Sequence, residues 1–172
     1  MKTKPDSLRH SLFDTAALDK IRDLATASRV CFFGTLGAEF PLHVRPMGLQ
    51  AVDASGDLWF LSGRTSDKNR HIEADPRVQL LFANPSGAQY LALQGTAVIH
   101  HEPGLKEKHW TPLAGAWFTG VDDPDLTVIQ VRIVDGHYWD TEHGKAIALL
   151  EIALKAVSGR PPAEGVQGRL RP

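Results

Sequence analysis

This sequence has little cysteine and no excess of charge of either sign. Its 172 residues include one cysteine, Cys31, and its 19 lysines and arginines stand against 20 aspartates and glutamates. One cysteine excludes an internal disulfide, and its place in the apolar run Val30-Cys31-Phe32-Phe33 favours a buried thiol over a reactive one. The balanced charge offers no basic surface of the kind that binds nucleic acid, so we expect no nucleic-acid partner.

Long apolar segments are also absent. No run approaches the roughly 20 residues that span a bilayer, and the first ten residues lack the apolar core of a signal peptide. A hydrophobic content of 42% with 23% charged residues is typical of a globular domain. We therefore expect a cytoplasmic protein with no membrane partner.

The motifs of several common sites are missing as well. The chain has no G-x-G-x-x-G and no G-x-x-x-x-G-K-[ST], which argues against a Rossmann domain and a P-loop. It has eight histidines but no H-E-x-x-H; since the adjacent His100 and His101 would point to opposite faces of a strand, we expect no metal site. No G-x-S-x-G turn indicates hydrolysis, and no residue stands out as catalytic.

What the chain does have is a series of short strand-like runs separated by turn residues. Several short strands at regular spacing, with few helices between them, are typical of a small antiparallel barrel. The fold class that we predict is therefore mainly β with flanking helices. The predicted strands are Arg29–Leu36, Phe40–Val52, Leu58–Ser62, Arg77–Ala83, Gln89–His100, Leu126–Val134 and His137–Asp140, with turns that include Gly37-Ala38-Glu39 and Asp135-Gly136.

Helical patterns are confined to four segments. Asp14 is placed to cap the first, and Gly159 to end the last. The second ends before Asp75-Pro76, because the residue before a proline disfavours helix. We expect one domain over residues 1–159 and an irregular tail over residues 160–172. The predicted helices are Thr15–Ser28, Asp67–Ala74, Leu105–Trp110 and Lys145–Val157.

The dipeptide Arg45-Pro46 lies in the middle of the second predicted strand. Proline has no N–H to give to a ladder, and inside sheets it is confined to edges, strand starts and bulges. An arginine on a mostly apolar strand needs an anion or open water. We therefore expect this strand to be open on one side, facing something other than a strand.

The densest polar cluster is Ser62-Gly63-Arg64-Thr65-Ser66-Asp67-Lys68, which leads from a strand end into a helix N-terminus. Unsatisfied backbone N–H groups and the helix dipole favour an anion there, and Ser66 and Lys68 would add a hydroxyl and a positive charge. The cluster thus predicts a phosphate site. The alternative is a short helix capped by Ser66 or Asp67, with Lys68 in solvent.

Aromatic side chains are concentrated in the segment His109–Phe118. Such a group usually forms an interface patch, and alternatively it walls a flat ring system.

Taken in order, short segments of the chain resemble the pyridoxamine 5'-phosphate oxidase-like, FMN-binding split barrels, and within them the general stress protein subgroup. Each segment is short, and it is the ordered set, from about Leu12 to Gly159, that is specific. The segments are Gly34-Thr35-Leu36, His43-Val44-Arg45-Pro46-Met47, Leu58-Trp59-Phe60, Ser66-Asp67-Lys68, Asp75-Pro76-Arg77-Val78, Gln94-Gly95-Thr96-Ala97, Trp110, Trp117-Phe118, Asp123-Pro124 and Tyr138-Trp139-Asp140.

The resemblance implies a six-stranded antiparallel split β-barrel and a homodimer, with FMN, or FAD in its place, in a cleft at the dimer interface. It implies that Arg45 and Lys68 pair with the flavin phosphate, helped by Ser62 and Ser66, and that Arg45-Pro46-Met47 lie along the ring. The other cofactor-binding residues that it implies are Leu61, Tyr90 and the ring-walling Trp110, Trp117 and Trp139.

A flavin-dependent oxidoreductase of unknown substrate is the function that the resemblance favours, with NADH, NADPH or another small molecule as electron donor. The alternative is a flavin-binding protein without turnover, serving storage, sensing or stress response. The vitamin-making oxidase of the family has a lysine where this chain has Gln50, which argues against oxidation of pyridoxine or pyridoxamine phosphate. Haem or a deazaflavin is a further alternative, because related split barrels bind them.

Overall fold

Eight strands and three helices make up the part of the chain that the computed structural model describes, residues 12–37, 41–140 and 166–172. Two short 3-10 turns, Pro85–Gly87 and Pro112–Ala116, connect some of them. In chain order the elements are β1 Leu12–Phe13, α1 Asp14–Ser28, β2 Val30–Thr35, β3 His43–Val52, β4 Leu58–Gly63, α2 Asp67–Ala74, β5 Arg77–Asn84, β6 Gln89–His100, α3 Pro103–His109, β7 Leu126–Asp140 and β8 Val166–Arg171.

Six of the strands close into an antiparallel barrel. Each strand pairs with the next in the order β2–β3–β4–β7–β6–β5, and β5 returns to β2. Outside this ring, β8 pairs with the far end of β7 and β1 lies parallel to β8. The six-stranded split barrel expected from the sequence is therefore confirmed.

The core fills the barrel and continues under α1. Strands β5 and β6 alternate in burial, so that Leu80 and Leu93 point inward while Leu81 and Tyr90 point outward, as period-2 side-chain geometry requires. Phe33 and Phe60 meet edge to face inside, with ring centroids 5.3 Å apart. Helix α1 closes one side with the fully buried face Ala17, Ile21, Leu24 and Ala25.

Two predictions at the C-terminal end of the barrel are wrong. The turn at Asp135-Gly136 does not exist, because β7 is continuous from Leu126 to Asp140 and carries a bulge opposite Gln94 and Gly95. Gly136 serves close packing, since a Cβ there would lie 2.6 Å from Leu93 Cδ2. The tail is not irregular over Val166–Arg171. These residues form β8, which pairs with the part of β7 that extends past the end of its pairing with β4.

Smaller differences concern element ends. Asp14 has a φ of 49° and is the first residue of α1, whereas the predicted cap would be extended. Helix α3 begins two residues earlier than expected, at Pro103, where the fixed φ of proline suits the first helical turn. The predicted helix Lys145–Val157 and most of the predicted turn before Phe40 lie outside the described residues.

No helix in the described residues combines the length and apolar character that crossing a membrane requires.

The thiol of Cys31 is expected to be inert in the folded protein. Cys31 is 2% exposed, and burial raises its pKa to about 12, so the nucleophilic thiolate is scarce at pH 8. We expect no reaction with 5,5'-dithiobis(2-nitrobenzoate) under native conditions and reaction of one thiol per chain in guanidinium chloride. Complete labelling of the native protein within minutes would contradict this prediction.

Candidate functional site

Strands β3 and β4 separate along half of their length. They pair at Leu49, Ala51 and Val52, and among the described residues the preceding stretch of β3, 43–48, has β2 on one side and no strand on the other. Within the same described part of the chain, β4 continues beyond this point paired with β7 alone. The prediction that the Arg45-Pro46 strand is open on one side is therefore confirmed.

Arg45 lies at this opening and is held by β2. Its Nη1 donates to Thr35 Oγ1 at 2.7 Å and to the Phe33 carbonyl at 3.4 Å. Thr35 is fully buried, and its hydroxyl also lies 3.0 Å from Nδ1 of His71 on α2. The imidazole of His43 packs against that of His71, with centroids 4.6 Å apart. Strands β2 and β3 and helix α2 thus meet around the guanidinium.

Helix α2 begins beside the opening. Ser66 is its N-cap residue, in extended conformation, and its hydroxyl accepts from the Asn69 N–H at 3.4 Å. The helix bounds are those predicted, and the capping role of Ser66 is confirmed. The N–H groups of Asp67 and Lys68 have no acceptor among the described residues, as expected in a first helical turn.

A buried polar network fixes this helix start to the barrel. Ser62 Oγ donates to Asn69 Oδ1 at 2.6 Å, and Asn69 Nδ2 donates to Thr127 Oγ1 at 3.0 Å. Thr127 Oγ1 in turn donates to the Ser62 carbonyl at 2.8 Å. All three side chains are 2% exposed or less. Because buried hydrogen bonds are costly to break, the network positions Ser66 and Lys68.

Lys68 reaches into the same region and lies close enough to Arg45 for the two charges to interact. Burial lowers the pKa of Lys68 and Arg45 lowers it further, while Asp125 and Asp67 raise it. Both cations are half-buried. In the part of the chain that the structure describes, neither forms an ion pair, since Asp67 is paired with Arg70 and Asp125 accepts from Thr65.

The pKa of two more groups here is lowered. Burial lowers the pKa of Arg45, and Asp67 partly offsets this. Burial also lowers the pKa of His71, with His43 and Arg45 as further causes, so His71 favours its neutral form at pH 7. The region is therefore rich in positive charge that its own carboxylates do not neutralise.

The remaining predicted residues on β3 and β4 divide between the two faces of the sheet. Met47 is buried in the core, so its side chain is not available to a ligand in the opening. Pro46 is exposed on the outer face, and Leu61 is half-buried at the edge of the opening. Thus Ser62 and Ser66 contact each other and the charges of Arg45 and Lys68 interact, while Leu61 points to the face opposite Ser62 and Met47 can contribute only its backbone.

The predicted aromatic residues lie on several different elements. Tyr90 and Trp139 are cross-strand neighbours on the outer face of β6 and β7, 44% and 41% exposed. Neither residue lies on a strand that pairs with β3, because β6 is three strands from β3 around the ring and β7 is two strands away through β4. Trp110 precedes Thr111, whose hydroxyl bonds Gln50 on β3, and Trp117 is 73% exposed. The role of these four aromatic residues in a flavin site stays a prediction.

Sequence reasoning missed Thr35, His71, Asn69 and Thr127. Each is an ordinary polar residue in its strand or helix, and its importance comes from partners far away in sequence. The spacing of Ser66 and Asn69, three residues apart at a helix start, is the one local signal. Within the described residues, no three His, Cys, Asp or Glu side chains form a cluster that could hold a metal ion.

Comparison with family models matches residues 16–163 to the family described as pyridoxamine 5'-phosphate oxidase like. The chain belongs to this family. Its members include flavin-binding split barrels, and the resemblance drawn from the ordered sequence segments is confirmed at the level of the family.

Two curated relatives are similar over part of their length. Protein bli-3 of Neurospora crassa is 28% identical over 127 residues, which are 68% of this chain and 61% of the relative. General stress protein 26 of Bacillus subtilis is 30% identical over 77 residues, 43% of this chain and 55% of the relative. The chain therefore spans about three fifths of the length of the relatives that it matches.

A solved structure extends the similarity to most of the chain. The protein, named as a candidate general stress protein 26 from Jannaschia sp. CCS1, superposes with a TM-score of 0.71 at 26% identity. The match covers 90% of this chain and 94% of that one. This family structure supports the barrel described above.

Replacing Asn69 with alanine is expected to destabilise the fold. The substitution removes the partner of two buried hydroxyls, and such a loss costs about 2–3 kcal/mol of unfolding free energy. Urea denaturation monitored by circular dichroism measures the change. The exposed Glu73 on the same helix offers a matched control, since Glu73→Ala is expected to change stability by no more than about 0.5 kcal/mol. Equal stability of the two variants would contradict the role given to the network.

Proposed function

We propose that this protein binds FMN, with the phosphate seated between Arg45 and Lys68 where β3 and β4 separate. The observation that carries the proposal is the pair of half-buried cations that repel each other and lack an ion-pair partner among the described residues. A bound dianion would relieve this repulsion, because opposite charges at close range attract more strongly away from bulk water.

The chemistry of the opening favours a terminal phosphate monoester. Besides the two cations, the start of α2 offers the N–H groups of Asp67 and Lys68, which have no acceptor among the described residues. A monoester has three terminal oxygens and close to two charges, and so can use all of these donors at once. This supports FMN over FAD, whose phosphates are both diesters with a single charge each.

We further propose that two copies of the chain complete the flavin site. The outer surface of the barrel carries a continuous row of exposed apolar side chains, named here the apolar sheet face. Large exposed apolar patches commonly mark protein interfaces. The apolar sheet face consists of Val30, Phe32, Pro46, Leu81, Ala83, Tyr90 and Trp139.

The occupant of the apolar sheet face is proposed to be a second copy for a geometric reason. Tyr90 and Trp139 belong to this face and lie on β6 and β7, neither of which pairs with the strand that carries Arg45. Packing of two such faces would bring the aromatic residues of one copy toward the opening of the other. Trp110 and Trp117, on the segment after α3, are candidates for the same role.

The bound flavin would supply the redox chemistry, and the protein would supply placement and exclusion of water. We thus propose that the protein is a flavin-dependent oxidoreductase, and we assign it no substrate. Rapid, saturable reduction of the bound flavin by NADH or NADPH in stopped-flow absorbance would support turnover. Slow reduction without saturation would instead support a flavin-binding protein that stores or senses the cofactor.

Removal of both cations is expected to abolish flavin retention. Each charge-assisted hydrogen bond contributes roughly 1.5–3 kcal/mol, so the double variant Arg45→Met with Lys68→Met should bind FMN at least about a hundredfold more weakly. Flavin fluorescence titration measures affinity, and mass spectrometry of the released chromophore identifies what the purified protein carries.

Arg132→Met is the matched control for this double variant, because it removes a cation whose side chain is 77% exposed and lies on β7. It should bind FMN as the wild type does. Full FMN occupancy in the double variant, or a colourless wild type that refuses added FMN and FAD, would refute the proposed site.

Disruption of the apolar sheet face is expected to produce monomers. Phe32→Glu places a charge at the centre of the face, where desolvation would oppose association. Light scattering after size-exclusion chromatography should then give half the wild-type mass. Val98→Glu is the matched control, since Val98 is 51% exposed against 56% for Phe32 but lies outside the face. A monomeric wild type, or a dimeric Phe32→Glu variant, would contradict the proposed assembly.

A further inference from the structure

Arg45 is the part of the proposed phosphate site whose orientation depends most on other side chains. A guanidinium has donors only, so in its 2.7 Å contact with Thr35 the hydroxyl oxygen must accept. The 3.4 Å contact with the Phe33 carbonyl is too long to fix the group alone. Thr35, which is fully buried, is therefore the main partner that holds Arg45.

The Thr35 hydroxyl is in turn held from the other side. Its own hydrogen can go to His71 Nδ1 at 3.0 Å or to the His43 carbonyl at 3.5 Å, and the shorter contact is the stronger. A hydroxyl that donates to His71 presents its oxygen lone pairs to the guanidinium. The lowered pKa of this imidazole favours its neutral form, and the tautomer with its proton on Nε2 leaves Nδ1 free to accept.

We propose that Thr35 and His71 are positioning residues that orient Arg45 toward phosphate and so determine the preference for a phosphorylated flavin over an unphosphorylated one. The proposal rests on the proposed function above and extends it to residues that do not touch the ligand. The chain of contacts runs from α2 through β2 to β3, across the three elements that meet at the opening.

Comparison of FMN with riboflavin tests this, because the two share the ring and ribityl chain and differ in the phosphate. The measured quantity is the ratio of their dissociation constants from fluorescence titration. A variant that merely loosened the fold would weaken the binding of both ligands alike, whereas loss of Arg45 positioning would weaken the binding of FMN alone.

Thr35→Val keeps the shape of the side chain and removes the hydroxyl. We expect it to weaken FMN by about tenfold, the effect of one hydrogen bond to a charged group, and to leave riboflavin unchanged. Thr35→Ser, which keeps the hydroxyl, should retain the wild-type ratio. A wild-type ratio in Thr35→Val would overturn the proposal.

If Thr35→Val does not fold, two variants of His71 test whether an acceptor at this position sets the preference for FMN. Asparagine can place an amide oxygen near the position of Nδ1, whereas leucine cannot accept a hydrogen bond. His71→Leu should lower the preference for FMN, and His71→Asn should restore much of it. If the ratio of the FMN and riboflavin dissociation constants is equal in these two variants, the positioning role is refuted and the proposed phosphate site is not. If the wild type binds riboflavin as tightly as FMN, both are refuted.

Discussion

The separation of β3 from β4 is the constraint on which the rest of this structure depends. A closed barrel satisfies its backbone groups by pairing every strand on both sides, and here that rule is relaxed over half of β3. Pro46 is tolerated in mid-strand because the strand is open there. Arg45 on the same stretch gains access to something other than a neighbouring strand. Every polar feature of the candidate site lies around this gap.

The gap is kept in shape by hydrogen bonds between side chains of different elements. Asn69 joins the first turn of α2 to Ser62 and Thr127, and Thr35 joins Arg45 to His71. The contacts of Asn69 are buried and those of Thr35 are partly buried, and together they set positions where the strand ladder is missing. The barrel supplies a rigid frame, and the polar network restores at the opening the order that strand pairing supplies elsewhere.

The sequence was informative where the cause of structure is local. Alternation of apolar and polar residues placed β5 and β6, and the capping chemistry of Ser66 placed α2. Strand β8 could not be predicted in this way, because its formation depends on the edge that β7 offers about 30 residues earlier in the chain. Gly136 was misleading for a related reason. In the sequence this glycine looks like a turn residue. In the structure it makes room for Leu93 on the neighbouring strand.

The difference between local and long-range causes also applies to the candidate site. Arg45 and Lys68 could be found from sequence because a cation on an apolar strand and a cation at a helix start are locally unusual. Thr35 and Asn69 could not, since threonine in a strand and asparagine in a helix become informative only when their partners are known. The proposed binding residues are thus easier to read from sequence than the residues proposed to position them.

The two serines of the predicted phosphate site are not equivalent. The hydrogen of Ser62 is engaged at 2.6 Å with Asn69, a short and buried contact that an anion would have to break. Ser66 donates only over 3.3 Å, to Asn69 or to Ser62, while accepting from the helix N–H. Its hydroxyl can therefore turn toward a bound anion at little cost, whereas Ser62 is committed to holding α2. The two serines contact each other, and the geometry of their hydrogen bonds suits Ser66 to the proposed phosphate contact and Ser62 to holding α2.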